Sequence, residues 1–175
     1  MYDTLEALRR KNSFVSVYTD TSEPDSFWFG KIDALDEYFV LLRLYTTTGV
    51  PNGLYLLPIE QVIRVSYGGQ YEERMRTLIG NVEEMRTGLA APLLDNMLAY
   101  CIRGGKAAEI ELNDSGNYDV SGIIESVSDS TVTVQELDIY GRNDGKTVFR
   151  IDDISCISYD RGPVTADVML YRDRE

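Results

Sequence analysis

The stretch that decides the fold is GKIDALDEYFVLL, residues 30–42. A glycine, an apolar segment, a polar turn and a second apolar run indicate a bent strand that turns into its neighbour. Sliding the sequence on itself by 92 residues places GIIESVSDSTVTV, residues 122–134, on this stretch. The chain is therefore predicted to contain the same structural unit twice.

The 92-residue offset also holds on both sides of that stretch. Glycines match where turns are expected, and apolar residues match where a core is expected. The identical pairs are Gly30/Gly122, Ile32/Ile124, Val40/Val132, Gly49/Gly141, Gly53/Gly145, Ile59/Ile151, Ser66/Ser158 and Tyr67/Tyr159.

Each copy is predicted to begin with a short helix and to continue into five strands. Asp3 and Glu6 have the spacing of a capping box, and the second helix is expected to run from Pro92 to the Gly104-Gly105 pair. Apolar residues three apart before the last strand predict a single helical turn there. The predicted strands are 14–19, 27–35, 40–44, 54–59 and 62–67 in the first copy, and 109–112, 118–127, 132–137, 146–151 and 154–159 in the second.

The domain boundaries follow from this pattern. Residues 1–70 are predicted to form the first domain and residues 92–175 the second. Residues 71–91 are predicted to form a helical connector, because Tyr71, Met75 and Ile79 lie on one helical stripe and Gly88 ends it. The fold class is mainly β, with two tandem five-stranded antiparallel barrels, each preceded by a short α-helix.

A helix followed by five bent strands, with a short turn before the last strand, resembles the Sm-like barrel. Residues 30–42 resemble the first Sm motif and are closest to the bacterial Hfq-type proteins, allowing one inserted residue. The resemblance implies a barrel with open strand edges that commonly pair into rings. The Lys-His pair with which Hfq-type proteins contact RNA is replaced by Leu56-Leu57, and the Arg-Gly of the second Sm motif is missing from both repeats.

Charge and composition exclude several kinds of chemistry. The net charge is −12, with −4 up to Gly88 and −8 after it, so neither half is a basic domain suited to nucleic acid. There is no histidine, which removes the usual general base and the commonest transition-metal ligand. Cys101 and Cys156 lie far apart among apolar residues, which predicts reduced core thiols in a cytoplasmic protein. No cofactor, metal site or membrane segment is predicted.

The candidate ligand-binding residues are Asp36, Tyr38, Phe39 and Arg64. The first three form a base-stacking pocket in one interpretation and an ordinary β-turn in the other. Arg64 is a candidate to bind a phosphate or carboxylate, whereas the second repeat has Cys156 at the equivalent position, which argues against a repeated binding role.

Two further groups of residues have plainer interpretations. Trp28, Tyr67 and Tyr159 are either exposed recognition aromatics or structural residues, and the matching Ser-Tyr pairs favour a shared structural role for the two tyrosines. The polar loop at 113–119 is interpreted as a turn rather than a calcium site.

Three functional hypotheses remain open. The leading one is a non-enzymatic module for protein binding or assembly, which self-associates through strand edges. The alternative is an RNA- or nucleotide-binding Sm-like protein, which the acidic charge disfavours. The third is a hydrolase that uses paired carboxylates.

Overall fold

The computed structural model describes residues 1–80, 86–138, 140 and 142–162, and it is mainly β with three α-helices. The helices are α1 (Tyr2–Arg10), α2 (Gln70–Ile79) and α3 (Leu93–Gly104). The strands are β1 (Phe14–Tyr18), β2 (Trp28–Leu35), β3 (Phe39–Tyr45), β4 (Pro51–Pro58), β5 (Arg64–Tyr67), β6 (Ala107–Leu112), β7 (Val120–Val127), β8 (Thr131–Leu137), β9 (Asn143–Arg150) and β10 (Ile154–Tyr159). Single 3-10 turns precede β5 and β10, as predicted, at Ile59–Gln61 and Ile151–Asp153.

The chain divides into two compact units. The first unit comprises Met1–Asn52 and Leu56–Leu93, and the second comprises Gly53–Tyr55 and Leu94–Glu175. The strands of the first unit follow the order β5-β1-β2-β3-β4, and those of the second follow β10-β6-β7-β8-β9. Both orders are open, so the closed barrels expected from the sequence are not confirmed, whereas the antiparallel, mainly β architecture is.

Strand register repeats between the units. Ile32 pairs with Leu42, and the register then shifts by one residue before Ala34 pairs with Leu41. The same shift follows Ile124 on β7, which lies 92 residues later. A bulge of this kind bends a strand and strengthens its twist. The repeat seen in the sequence therefore corresponds to one bent-hairpin geometry formed twice.

Glycine is required at the start of each bent strand. A Cβ on Gly30 would overlap the carbonyl oxygen of Arg43, and a Cβ on Gly122 would overlap that of Gln135. The two carbonyls are themselves 92 residues apart. The neighbouring strand therefore approaches too closely for a side chain at the same place in both units.

Matching apolar positions have matching burial. Ile32 and Ile124 are 3% and 2% exposed, and Val40 and Val132 are fully buried. Each unit thus buries the apolar side chains of its bulged hairpin in its own core, which is the main driving force for its folding.

Helix α2 packs on the first unit. Its Met75 and Ile79 are buried against Phe14, Phe29 and Tyr45. The predicted connector therefore begins as part of the first unit's core. Residues 81–85 of that connector, and Gly141 of the predicted glycine pairs, lie outside the described residues.

Three strands begin two or three residues earlier than the sequence predicted. Strand β4 begins at Pro51, β6 at Ala107 and β9 at Asn143. Leu137 pairs with Asn143, so Asn143-Asp144-Gly145, a sequence typical of a hairpin turn, continues the ladder instead. Tertiary pairing outweighs turn propensity at this position. None of the helices found in the described part of the chain has the length and apolar character needed to cross a bilayer.

Candidate functional site

The turn after β2 uses its aspartate to hold the backbone. Asp36 Oδ1 accepts hydrogen bonds from the backbone N–H groups of Tyr38 at 2.9 Å and Phe39 at 2.8 Å. Asp36 Oδ2 accepts one from the N–H of Leu93 at 2.7 Å. Both carboxylate oxygens therefore have donors, as in an Asx-turn. Tyr38 is 67% exposed and Phe39 is half-buried, so the aromatic pair offers one open ring.

Arg64 lies near the start of β2, whereas Asp36 follows its end. Its guanidinium carbon is 3.7 Å from the centroid of the Tyr18 ring, and Nη2 donates to the Pro24 carbonyl at 3.0 Å. Arg64 pairs with the last residue of β1, whose neighbour Val17 pairs with Trp28 at the start of β2. Asp36 follows the end of β2. The structure thus separates Arg64 from the other three predicted residues by the length of a strand.

The first unit contains a buried ion pair that was not predicted from the sequence. Arg43 Nη2 and Asp33 Oδ1 form an ion pair, with side chains that are 11% and 1% exposed. Asp33 Oδ2 also accepts hydrogen bonds from Thr87, through the backbone N–H at 3.1 Å and through the hydroxyl. The sequence feature that could have indicated this pair is one ionisable residue within each of the two apolar strands of one hairpin. Because both side chains are enclosed, the pair is not accessible to a ligand.

Two strands present open edges. In the strand order, β5 and β9 each have a single hydrogen-bonded neighbour among the described strands. Most of β9 is exposed, including Val148 at 60%, and β5 ends in Tyr67 at 56% exposure. Such edges present backbone donors and acceptors that can pair with another strand.

Two equivalent glycines differ in what covers them. Within the second unit, a Cβ on Gly53 would lie 2.7 Å from the carbonyl oxygen of Asp160 and would overlap that of Tyr159. Gly145 lies 92 residues later on β9 and also has a positive φ, yet no atom would lie within 4 Å of its Cβ. The same backbone position is thus covered at Gly53 and open at Gly145.

The equivalent tyrosines also differ in exposure, since Tyr159 is covered and Tyr67 is open. Tyr159 is 3% exposed, and its ring packs edge-on against Tyr100 with the centroids 5.8 Å apart. Burial raises the pKa of Tyr159 to about 12. Tyr67 instead borders an open groove of about 310 Å³ beside α1. The shared role expected for the two tyrosines does not extend to their surroundings.

The cysteines have the properties of core thiols. Both are buried, and burial raises the pKa of Cys156 to about 12 and that of Cys101 further. Since the thiolate is the reactive form, neither side chain is a ready nucleophile near neutral pH. Within the described ranges, no three Cys, Asp or Glu side chains gather as they would around a metal ion.

Comparisons with models of protein families, with curated proteins and with solved structures found no match to the chain. The fold and the open strand edges are therefore the observations on which a function can be argued.

Proposed function

We propose that the chain is a non-enzymatic, Sm-like assembly module whose copies join edge to edge. Strand β5 of one copy would add to strand β9 of the next. The proposal is supported by the repeated order of a helix, four strands, a 3-10 turn and a fifth strand. Edge pairing needs only backbone hydrogen bonds, so it tolerates the different side chains of the two edges.

The contrast between Gly53 and Gly145 carries the proposal. Gly53 lies against the backbone at the end of β10, beside Tyr159. By the 92-residue equivalence, the partner of Gly145 would be the end of β5, at Tyr67. Gly145 and Tyr67 are both uncovered in a single chain. Gly145 of one copy would therefore pack against Tyr67 of the next, as Gly53 packs against Tyr159.

The two edges differ, so the contact would be heterologous. Head-to-tail contacts produce a ring where the rotation closes and a filament where it does not. A ring corresponds to the arrangement that the Sm-like resemblance implies. The number of copies in the ring would follow from the rotation between neighbours.

The net charge of the chain predicts how salt should affect the association of copies. Each copy carries −12, so copies repel one another and salt should strengthen association by screening. Binding to RNA through phosphates would respond in the opposite way, because counterion release weakens it as salt rises. The direction of the salt effect therefore separates assembly from the RNA-binding alternative.

Sedimentation velocity of the full chain over a range of concentrations and salt tests the proposal. The chain should form larger species as concentration and salt increase. Val148→Lys places a charge on the β9 edge and should leave monomers, because lysine on an edge strand opposes pairing. Val127→Lys is the matched control, since Val127 is exposed on β7, which has strand neighbours on both sides.

A monomer at the highest concentration and salt reached would contradict the proposal. So would equal loss of association in the two lysine variants, because the effect would then come from charge alone. Circular dichroism of both variants should match the parent chain, which establishes that the change lies in association and not in folding.

A further inference from the structure

The first unit carries an aromatic cleft between the start of β2, the end of β3 and helix α2. Its volume is about 200 Å³. We define this aromatic cleft by its main lining residues, which are Phe27, Trp28, Phe29, Tyr45, Asn52 and Tyr71. Leu44, Thr46 and Thr47 complete the lining. All of these residues belong to the first unit.

The rings meet at steep angles. Tyr71 lies edge-on to Phe27 and to Phe29, with ring centroids 5.2 Å apart in each case and interplanar angles of 80° and 85°. Phe29 and Tyr45 are tilted by 60°. Rings packed edge-on do not form the parallel slot that a flat ligand would need, so the cleft suits a compact ligand better.

The second unit does not share these aromatics. The positions 92 residues after Phe27, Trp28, Phe29 and Tyr45 hold Asp119, Val120, Ser121 and Leu137. The second unit thus forms the same strands without the aromatic group. Phe29 and Tyr45 also pack against Met75 and Ile79 of α2, so the cleft is specific to the first unit together with that helix.

The charges around the cleft favour a cation. None of the lining residues is charged, and the loop that leads into Phe27 carries Asp20, Glu23 and Asp25 without a Lys or Arg. Arg64 donates to the Pro24 carbonyl of this loop, and the charge of Arg74 acts on Tyr71. The carboxylates and the net charge of −12 nevertheless favour cations over anions. Aromatic faces bind cations through their quadrupoles.

Two rings next to the cleft, Phe14 and Tyr18, each already contact a cation of the chain itself. Lys31 Nζ lies 4.3 Å from the centroid of Phe14, and the Arg64 guanidinium lies 3.7 Å from that of Tyr18. Phe14 stacks on Phe29 at 5.5 Å, and Tyr18 contacts Phe27 at 5.3 Å. Cations therefore sit on the two rings that flank the cleft, whereas no Lys or Arg lines the cleft itself.

We propose that the aromatic cleft binds the quaternary ammonium group of a small organic cation. Such a group is compact, carries a charge that is weakly hydrated and exposes only methyl groups. It can therefore contact ring faces without leaving a buried hydrogen-bond donor unsatisfied. The acidic loop would supply long-range attraction, and the rings would supply the contact.

Trp28 is the only tryptophan of the chain and lines the cleft, so its fluorescence reports binding directly. The probes are tetramethylammonium, choline, N-trimethyllysine amide and the neutral isostere 3,3-dimethylbutanol. Each cation should bind about three- to thirtyfold more tightly than the isostere. Choline and the lysine derivative separate the two possible sources of the group, a free metabolite and a modified protein.

Isothermal titration calorimetry of the same probes gives a readout that does not depend on tryptophan. Tyr71→Leu should weaken cation binding by about three- to thirtyfold, because it removes a ring and keeps an apolar side chain. Tyr140→Leu removes an exposed tyrosine from the second unit and should leave binding unchanged.

Three outcomes would overturn the proposal. Equal affinity for 3,3-dimethylbutanol would show an apolar cleft with no preference for charge. Tighter binding of adenosine than of any cation would assign the cleft to nucleobases. Absence of both a fluorescence change and a heat of binding with every cation would show that the cleft takes no ligand of this class.

Discussion

Breaking the buried Asp33–Arg43 pair should strongly destabilise the first unit. The perturbation is Asp33→Ala, which removes a carboxylate that is 1% exposed and that pairs with the enclosed Arg43 guanidinium. It also removes the acceptor for two hydrogen bonds from Thr87. Removing one partner of a buried ion pair is costly because the remaining buried charge loses that interaction.

The expected loss is about 3–5 kcal/mol of unfolding free energy, the range for breaking a buried ion pair by removing one partner. For a urea dependence of about 2 kcal/mol per molar, this lowers the unfolding midpoint by roughly 2 M. The double variant Asp33→Leu with Arg43→Met should lose much less than Asp33→Ala, since apolar side chains of similar size replace both charges.

Urea unfolding monitored by Trp28 fluorescence measures the effect, because this single tryptophan lies on β2 of the first unit. Glu73→Ala is the matched control. Glu73 pairs with Arg76 on the surface, where the side chains are 53% and 67% exposed, and such pairs contribute about 0–1 kcal/mol.

A midpoint for Asp33→Ala that coincides with that of Glu73→Ala would refute the reasoning, because burial would then have no influence on the value of the pair. A double variant no more stable than Asp33→Ala would refute the second step, which attributes the loss to a buried charge deprived of its Asp33 partner.

Two further predictions concern single titratable groups. Cys101 and Cys156 should resist a thiol reagent at pH 8 until urea is added, because burial raises the pKa of both thiols; rapid labelling of the folded chain would contradict this. Hydrogen bonds from Arg9 and Arg10 lower the pKa of Glu6 from 4.5 to about 2, so its stabilisation is present above pH 4.5 and is lost as the pH falls towards 2. Thermal unfolding of Glu6→Gln should therefore show a deficit at pH 7 that disappears near pH 2.

The repeated hairpin was predictable because its determinants are local. Gly30 and Gly122 mark the close approach of the next strand, and Ile32 and Ile124 precede the bulge. Local identity at a constant offset was enough to assign the strands and the 3-10 turns. Strand lengths were less predictable, because the pairing of Asn143 with Leu137 depends on a neighbouring strand.

The arrangement of strands was harder to predict than their existence. Arg64 lies far from Asp36 because β1 pairs with both β2 and β5, and a list of strands does not contain that information. The partners Asp33 and Arg43 are ten residues apart, and their burial depends on Thr87, a further 44 residues along the chain. Long-range contacts of this kind leave no periodic signal.

The packing of α2 on the first unit determines where the chain can be truncated to give a soluble first half. Glu72 accepts a hydrogen bond from the Ser16 hydroxyl at 2.6 Å and one from the Gly69 N–H at 2.9 Å, so the helix is tied to β1 at its first turn. A fragment that stops at residue 70 would leave Phe14 and Phe29 in water and would tend to aggregate. A soluble first half should therefore extend at least through Ile79, the last residue of that helix.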